Sequence, residues 1–388
     1  MKTKLFYLLF TMLIIFSACE KQGSDASGYT GTGISAGGGS GSGGSGGAQV
    51  PAGVITAGEW NDLDNWNFWD SIISMPKYNP IPGIWQLYNK NRVSVHVSTP
   101  GNSPVANAVV QLKYNGAVVF SARTDNRGDA ELWADLFTSN TTDFSFLSID
   151  VNNGSKIVSN VKPYSAGINQ VTLSLPAPAD IMQVAFVVDA TGSMSDEISY
   201  LKNEVLDVIN RARNDNPGLV LQTGSVFYRD LGDDYVTRVS DFTTTSNTTI
   251  NFIKDQNAGG GGDWPEAVDI AMEKSVNELT WLPNAKTRIM FMILDAPPHK
   301  ESSNISKVQL AIAKAAEKGI KIIPVSASGI DKETEFLLRF MALSTNGTYV
   351  FITNDSGIGN THLEATVGPY QVEYLNNLMV RLINKYAQ

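Results

Sequence analysis

The chain is expected to be an α/β protein with a doubly wound, mainly parallel sheet in its carboxyl-terminal half and a small antiparallel β-sandwich before it. Three observations carry this. After Pro176-Ala177-Pro178, apolar runs of strand length alternate with segments whose apolar residues recur at helical spacing, the pattern of a parallel sheet covered on both faces. Between about Arg92 and Pro176 the apolar residues alternate singly with polar ones and are broken by turn residues, the period of half-buried antiparallel strands. The 388 residues suffice for two or three domains, and 43% hydrophobic with 17% charged content is a globular composition.

The amino terminus comes first. Met1-Lys2-Thr3-Lys4, an apolar run from Leu5 to Phe16 and the small residues Ser17-Ala18 before Cys19 have the order of an export signal, too short to span a bilayer. This stretch resembles a bacterial lipoprotein signal, with Phe16 where Leu is usual. The resemblance implies cleavage after residue 18, a lipid on Cys19, and attachment at the cell envelope, as on a bacterial outer membrane. Cys19 is the chain's single cysteine, which excludes a disulfide-stapled scaffold. Loss of Lys2 and Lys4 takes the net charge from −9 to −11, so hydrocarbon and not basic surface would hold the protein on a membrane. The same acidity argues against nucleic acid. Residues 23–47 hold 12 of the 34 glycines, and 19–49 read as a flexible tether.

Residues 50–90 carry four of the seven tryptophans. Thr56-Ala57-Gly58-Glu59 has the form of a capping box, and Trp60, Leu63, Trp66 and Trp69 follow at three-residue spacing, which predicts a short amphipathic helix. The stripe suits either a platform for sugar or peptide or burial against a neighbouring domain; burial is the expectation. In 91–178, Val93, Val95 and Val97 alternate with polar residues, and Val109–Tyr114 leads through Asn115-Gly116 into Ala117–Ala122 as a hairpin. Phe144, Phe146 and Ile149 suggest another strand, and Val171, Leu173 and Leu175 the last. Pro104–Val109, Thr124-Asp125 and Gly128–Leu132 resemble the carboxypeptidase-regulatory or transthyretin-like sandwich, which implies a spacer or interaction surface.

In 179–388, strands are expected at Ile181–Val188, Leu219–Phe227, Arg288–Leu294, Lys321–Val325 and Thr348–Phe351. Helices follow the apolar stripe from Ile198 to Ile209 and cover Pro265–Leu279, Ser306–Lys318, Lys332–Leu343 and Val372–Tyr386. In such a sheet ligands bind at the carboxyl ends of the strands. The first strand ends in Asp189-Ala190-Thr191-Gly192-Ser193, Gly259-Gly260-Gly261-Gly262 leads into Asp263, and Leu294 leads into Asp295-Ala296-Pro297-Pro298. Each loop offers one carboxylate and the first adds two hydroxyls at alternate positions, a set suited to a hard divalent cation.

These motifs resemble the metal-ion-dependent adhesion site of the von Willebrand factor type A domain, a Rossmann-like fold. The resemblance implies a divalent cation, Mg²⁺ first with Ca²⁺ or Mn²⁺ as alternatives, held by Asp189, Thr191, Ser193, Asp263 and Asp295. Thr191 keeps the hydroxyl of the usual Ser, whereas Asp263 stands where Thr is usual. Three ionised carboxylates would outweigh a 2+ ion and favour tighter metal binding with neutral or carbonyl ligands, or a structural metal. Arg229 either restores neutrality or pairs with Asp230; Arg229, Asp230 and Trp264 are rim candidates, and His299 reads first as a solvated loop residue, with the rim as its alternative.

Rival readings are specific. Ser193 or Ser195 could cap the following helix, and Asp295 could be a turn residue. Asp189-Ala190-Thr191-Gly192-Ser193 also resembles the aspartyl-phosphate loop of cation-pumping ATPases and their phosphatase relatives, but Asp295 lacks the acidic partner that chemistry uses. No zinc, Walker, dinucleotide or nucleophile-elbow motif is present. The expectation is a lipid-anchored, non-catalytic envelope protein recognising a protein or glycan at the metal face, with a structural scaffold of an envelope complex as the alternative.

Overall fold

The structure, a computed structural model, describes residues 52–388. The signal, Cys19 and the tether lie outside the described residues.

The first element corrects an expectation. Thr56–Trp60 is strand β1, not a capped helix, and it pairs antiparallel with Tyr349–Ile352. Gly58 is required there because a Cβ would lie 2.6 Å from the Phe351 ring. Asn61 ends the strand, its Oδ1 accepting the Leu63 and Asp64 amides at 2.9 and 3.0 Å. Helix α1 (Trp66–Ile73) starts beyond that turn, followed by α2 (Ile81–Trp85). Pairing with a strand edge that would otherwise be open outweighs the local capping preference. Trp60, Trp69 and Trp85 are buried, so the tryptophans form no exposed platform.

The sandwich follows as β2 (Asn91–Ser98), β3 (Val109–Tyr114), β4 (Ala117–Arg123), β5 (Asp129–Ala134), β6 (Leu147–Val151), β7 (Lys156–Val158) and β8 (Asn169–Thr172). Its sheets run β5-β2-β8 and β4-β3-β6-β7. The Asn115-Gly116 turn has φ of +49° and +84°, which twists the β3–β4 hairpin as the flanking strands require. Two details differ from expectation. Phe144–Phe146 form a 3₁₀ turn before β6, and β8 pairs parallel with β2, because the chain returns by a crossover and not by a hairpin.

The carboxyl-terminal part runs β9 (Ala179–Asp189), α3 (Ser195–Asp215), β10 (Val220–Tyr228), β11 (Thr237–Thr243), α4 (Ser246–Lys254), α5 (Val268–Asn277), β12 (Ala285–Leu294), α6 (Ser302–Lys318), β13 (Ile320–Ser326), α7 (Lys332–Ser344), β14 (Tyr349–Ile352), β15 (Glu373–Tyr374) and α8 (Leu375–Ala387). The eight-stranded sheet has the order β11-β10-β9-β12-β13-β14-β1-β15. Its five central strands are parallel, as expected, while β11 and β1 join antiparallel on either side. Strand β11 and helix α4 were not foreseen: polar residues dominate both, and their apolar periodicity is weak.

Helices α3, α4 and α8 cover one face of the sheet around Phe186, Phe291 and Ile323. The other face, under α5, α6 and α7, shares one apolar cluster with the sandwich and the Trp-rich segment. Asp62 grips Arg339 of α7 with both carboxylate oxygens, at 2.6 and 2.8 Å, and both residues are buried. The segment after β1 thus belongs structurally to the large sheet.

Candidate metal centre

Three loops meet at the carboxyl ends of β9, β10 and β12, laced by backbone hydrogen bonds. The Gly259 amide donates to Ala190 O and the Gly192 amide to Gly260 O, each at 3.0 Å, while the Glu266 amide donates to Pro297 O at 2.9 Å. Gly260 has φ +77°, and a Cβ there would fall 2.3 Å from the Asp233 carboxylate. Only glycine lets the loop run this close. The Asp233 carboxylate in turn accepts the amides of Gly261 (2.9 Å) and Asp230 (3.1 Å), a fastening that nothing in the local sequence announced.

Asp189 Oδ1 accepts the Thr191 amide at 2.9 Å and its hydroxyl at 2.7 Å, and the Thr191 and Ser193 hydroxyls lie 3.1 Å apart. The alternate spacing therefore brings the three side chains together. Met194, not a serine, occupies the cap position of α3, which has no side-chain cap bond, so the hydroxyls are not capping groups. Asp189 and Thr191 are fully buried and Asp295 is 4% exposed.

This cluster leaves charge uncompensated. Asp189 Oδ2, Asp295 Oδ1 and Glu266 Oε2 are buried without a hydrogen-bond partner. Burial pushes the Asp189 and Asp295 carboxyls well above the usual range, with further upward pressure on Asp189 from Asp295 and on Asp295 from Glu197. Glu266 is pushed up to about 9 by burial and then by Asp189, Asp230 and Asp295. The Tyr228 phenol, buried beside Asp189, is raised well above its ordinary value and stays neutral. No basic side chain pairs with Asp189, Asp295 or Glu266 among the described residues.

Asp263 is placed differently from expectation. It is exposed on the glycine-rich loop, while Glu266, three residues on, is 3% exposed and carries the third inward carboxylate. Arg229 neither neutralises the cluster nor pairs with Asp230. Its Nε and Nη2 donate to Ala190 O (3.1 Å) and Asn257 O (2.9 Å), and its plane stacks on Tyr235. Asp230 instead holds His299, Oδ1 to Nε2 at 3.0 Å. Burial acts to lower the His299 value, but the Asp230 hydrogen bond and charge outweigh it and raise it. Trp264 is 42% exposed beside the loop.

The residues fit a hard cation. The orphaned carboxylate oxygens of Asp189 and Asp295 stand beside the Thr191 and Ser193 hydroxyls, an all-oxygen set. No group of three or more His, Cys, Asp and Glu residues is arranged to hold an ion alone among the described residues, so hydroxyls and water would have to complete the shell.

Residues 183–358 match the von Willebrand factor A domain. An alpha-protein kinase of Dictyostelium discoideum, vwkA, is 30% identical over 132 residues, 34% of this chain and 21% of its own length. An ariadne-like RING finger protein of Acanthamoeba polyphaga mimivirus is 33% identical over 129 residues, 32% of this chain and 12% of its own. The chain thus spans about a fifth or less of these relatives. Among solved structures, the conserved hypothetical protein BatB from Bacteroides thetaiotaomicron is 14% identical with a TM-score of 0.36, over 53% of this chain and 98% of that one.

Proposed function

We infer, for a chain whose residues 183–358 are a von Willebrand factor A domain, that its role is non-catalytic, cation-dependent recognition of a protein ligand at the end of the sheet where Asp189 and Asp295 lie. The carrying observation is the set of buried carboxylate oxygens with no counter-charge, a costly arrangement unless a cation compensates it. Asp189 would bind through Oδ2, since its Oδ1 is engaged by Thr191; Asp295, Thr191 and Ser193 would supply the remaining protein oxygens. Glu266 would orient ligands or water from behind Thr191 and Gly261. A bound Mg²⁺ supplies Lewis-acid attraction for a carbonyl or carboxylate oxygen of a partner. Lys2, Lys4, the apolar run and Cys19 support export and lipid attachment, which would hold this face out from a bacterial envelope membrane.

Calorimetric titration of Mg²⁺ into the whole chain tests the site: saturable binding that Asp189→Ala abolishes supports it, and no binding overturns it. Envelope extract passed over the immobilised chain with Mg²⁺ or EDTA tests the role. Metal-dependent capture supports recognition, whereas EDTA-resistant capture favours a scaffold. Turnover of a phosphate ester, lost in Asp189→Asn, would overturn the non-catalytic reading. Cys19→Ser should release the protein from the membrane fraction.

A further inference from the structure

A second cavity, unrelated to the loops that carry Asp189 and Asp295, lies where the Trp-rich segment meets the sandwich. Its volume is about 650 Å³, within the range of small-ligand sites. Helix α1, the Asn79–Gly83 stretch, the start of β2 and the end of β5 with its following loop enclose it. An adjoining cleft of about 430 Å³ shares Ala134, Asp135 and Asn140 with it and reaches Tyr114.

The lining is of two kinds. Ile73, Pro80, Pro82 and Ala134 give apolar walls, and Tyr88 adds a half-buried aromatic ring. Asn79, Asn89, Asn91 and Asn140 bring amides into the same space. Asn89 is 4% exposed and lines the cavity. Asn91 uses Nδ2 on Asp135, at 3.1 Å, which leaves its Oδ1 to accept.

The backbone of the walls is already committed. Asn91 pairs with Ala134 in the β2–β5 ladder and the Tyr88 amide donates to Leu136 O at 2.6 Å. A peptide adding itself as a strand would find few free main-chain partners here. Lys90 faces Asp70 and Asp135 around the cavity, one positive charge against two negative, so an anion is not favoured. Amides that donate and accept from one planar group, beside apolar and aromatic walls, match a molecule with hydroxyls on its rim and C–H groups on its faces.

We propose that this cavity binds a neutral oligosaccharide of two or three units, seated on Tyr88 and the proline wall and hydrogen-bonded by Asn89 and Asn91. This site is independent of the metal centre.

Cellotriose, mannotriose and triacetylchitotriose, each at millimolar concentration, are titrated into the whole chain and followed by saturation-transfer NMR. At least one should bind saturably, with EDTA making no difference. Asn89→Leu should weaken binding about tenfold. Gly83→Tyr should weaken it strongly: Gly83 lines the cavity and a Cβ there meets nothing within 4 Å, so the fold accepts a ring that narrows the space left for a sugar. Thermal melting of both variants verifies folding. Failure of all three sugars, binding that Gly83→Tyr leaves unweakened, or binding removed by EDTA overturns the proposal. So does a pool of unstructured peptides that protects Tyr88–Asn91 from hydrogen exchange when no sugar does.

Discussion

Asp189, Asp295 and Glu266 show how a handful of side chains can set stability against function. Each is buried with an oxygen that nothing compensates; Glu266, pushed up to about 9, already holds its proton at neutral pH, so it is loss of the Asp295 charge that should relieve repulsion in the metal-free protein. Asp295→Asn is expected to raise the metal-free melting temperature by about 2 °C and to abolish the response to Mg²⁺. In the wild type, Mg²⁺ at about 100 times its dissociation constant should add about 2.7 kcal/mol. Scanning calorimetry with and without Mg²⁺ reads both. Glu266→Gln should weaken Mg²⁺ about tenfold, and Asp263→Thr less, because Asp263 is exposed. Equal effects would return Asp263 to the centre. His299 gives a pH readout. Its folded value lies above the unfolded one of 6.5, so the Asp230 contact contributes in full below that pH and is lost as pH rises through the folded value. An imidazole NMR titration of the metal-free chain should show the raised midpoint, and Asp230→Asn should bring it down.

Strand β1 and the turn behind it show local preference yielding to tertiary pairing. The Thr56–Glu59 pattern was legible as a capping box, yet the side of β14 away from β13 was available for pairing, and Gly58 alone permits the Phe351 ring to pass. Gly58→Val should destabilise by about 2–3 kcal/mol through overpacking, measured by urea unfolding. Asp62→Ala should cost about 3 kcal/mol, because Arg339 would stay buried with only the longer Glu335 contact, at 3.5 Å, in place of its two-point partner. A small effect would mean that water reaches the guanidinium. The parallel strands and their helices were readable because the apolar period changes from helix to strand within a few residues. Strand β11 escaped detection because half-exposed polar strands at a sheet edge carry no such period.

The described residues form one unit in which the sandwich, the tryptophans and one face of the large sheet share a core. A chain beginning at residue 179 would lack β1, Asp62 and the aromatic cover over Phe336 and Phe340. It should melt well below the whole chain and tend to aggregate through the edge of β14. Matching melting curves would show the large sheet to be self-sufficient.

Asp189, Thr191, Ser193 and Asp295 could be found from the chain alone, as could the alternation of strands and helices that delivers them to one end of a sheet. Both are written in spacings of a few residues, and such spacings survive folding because backbone geometry is local. The choice of Glu266 over Asp263, the tie of Arg229 to two carbonyls, the strand at Thr56–Trp60 and the cavity beside Asn89 were decided only in three dimensions. Each depends on which distant segment arrives to exclude water or to offer a partner, and burial is a property of the assembled neighbourhood, not of the residue.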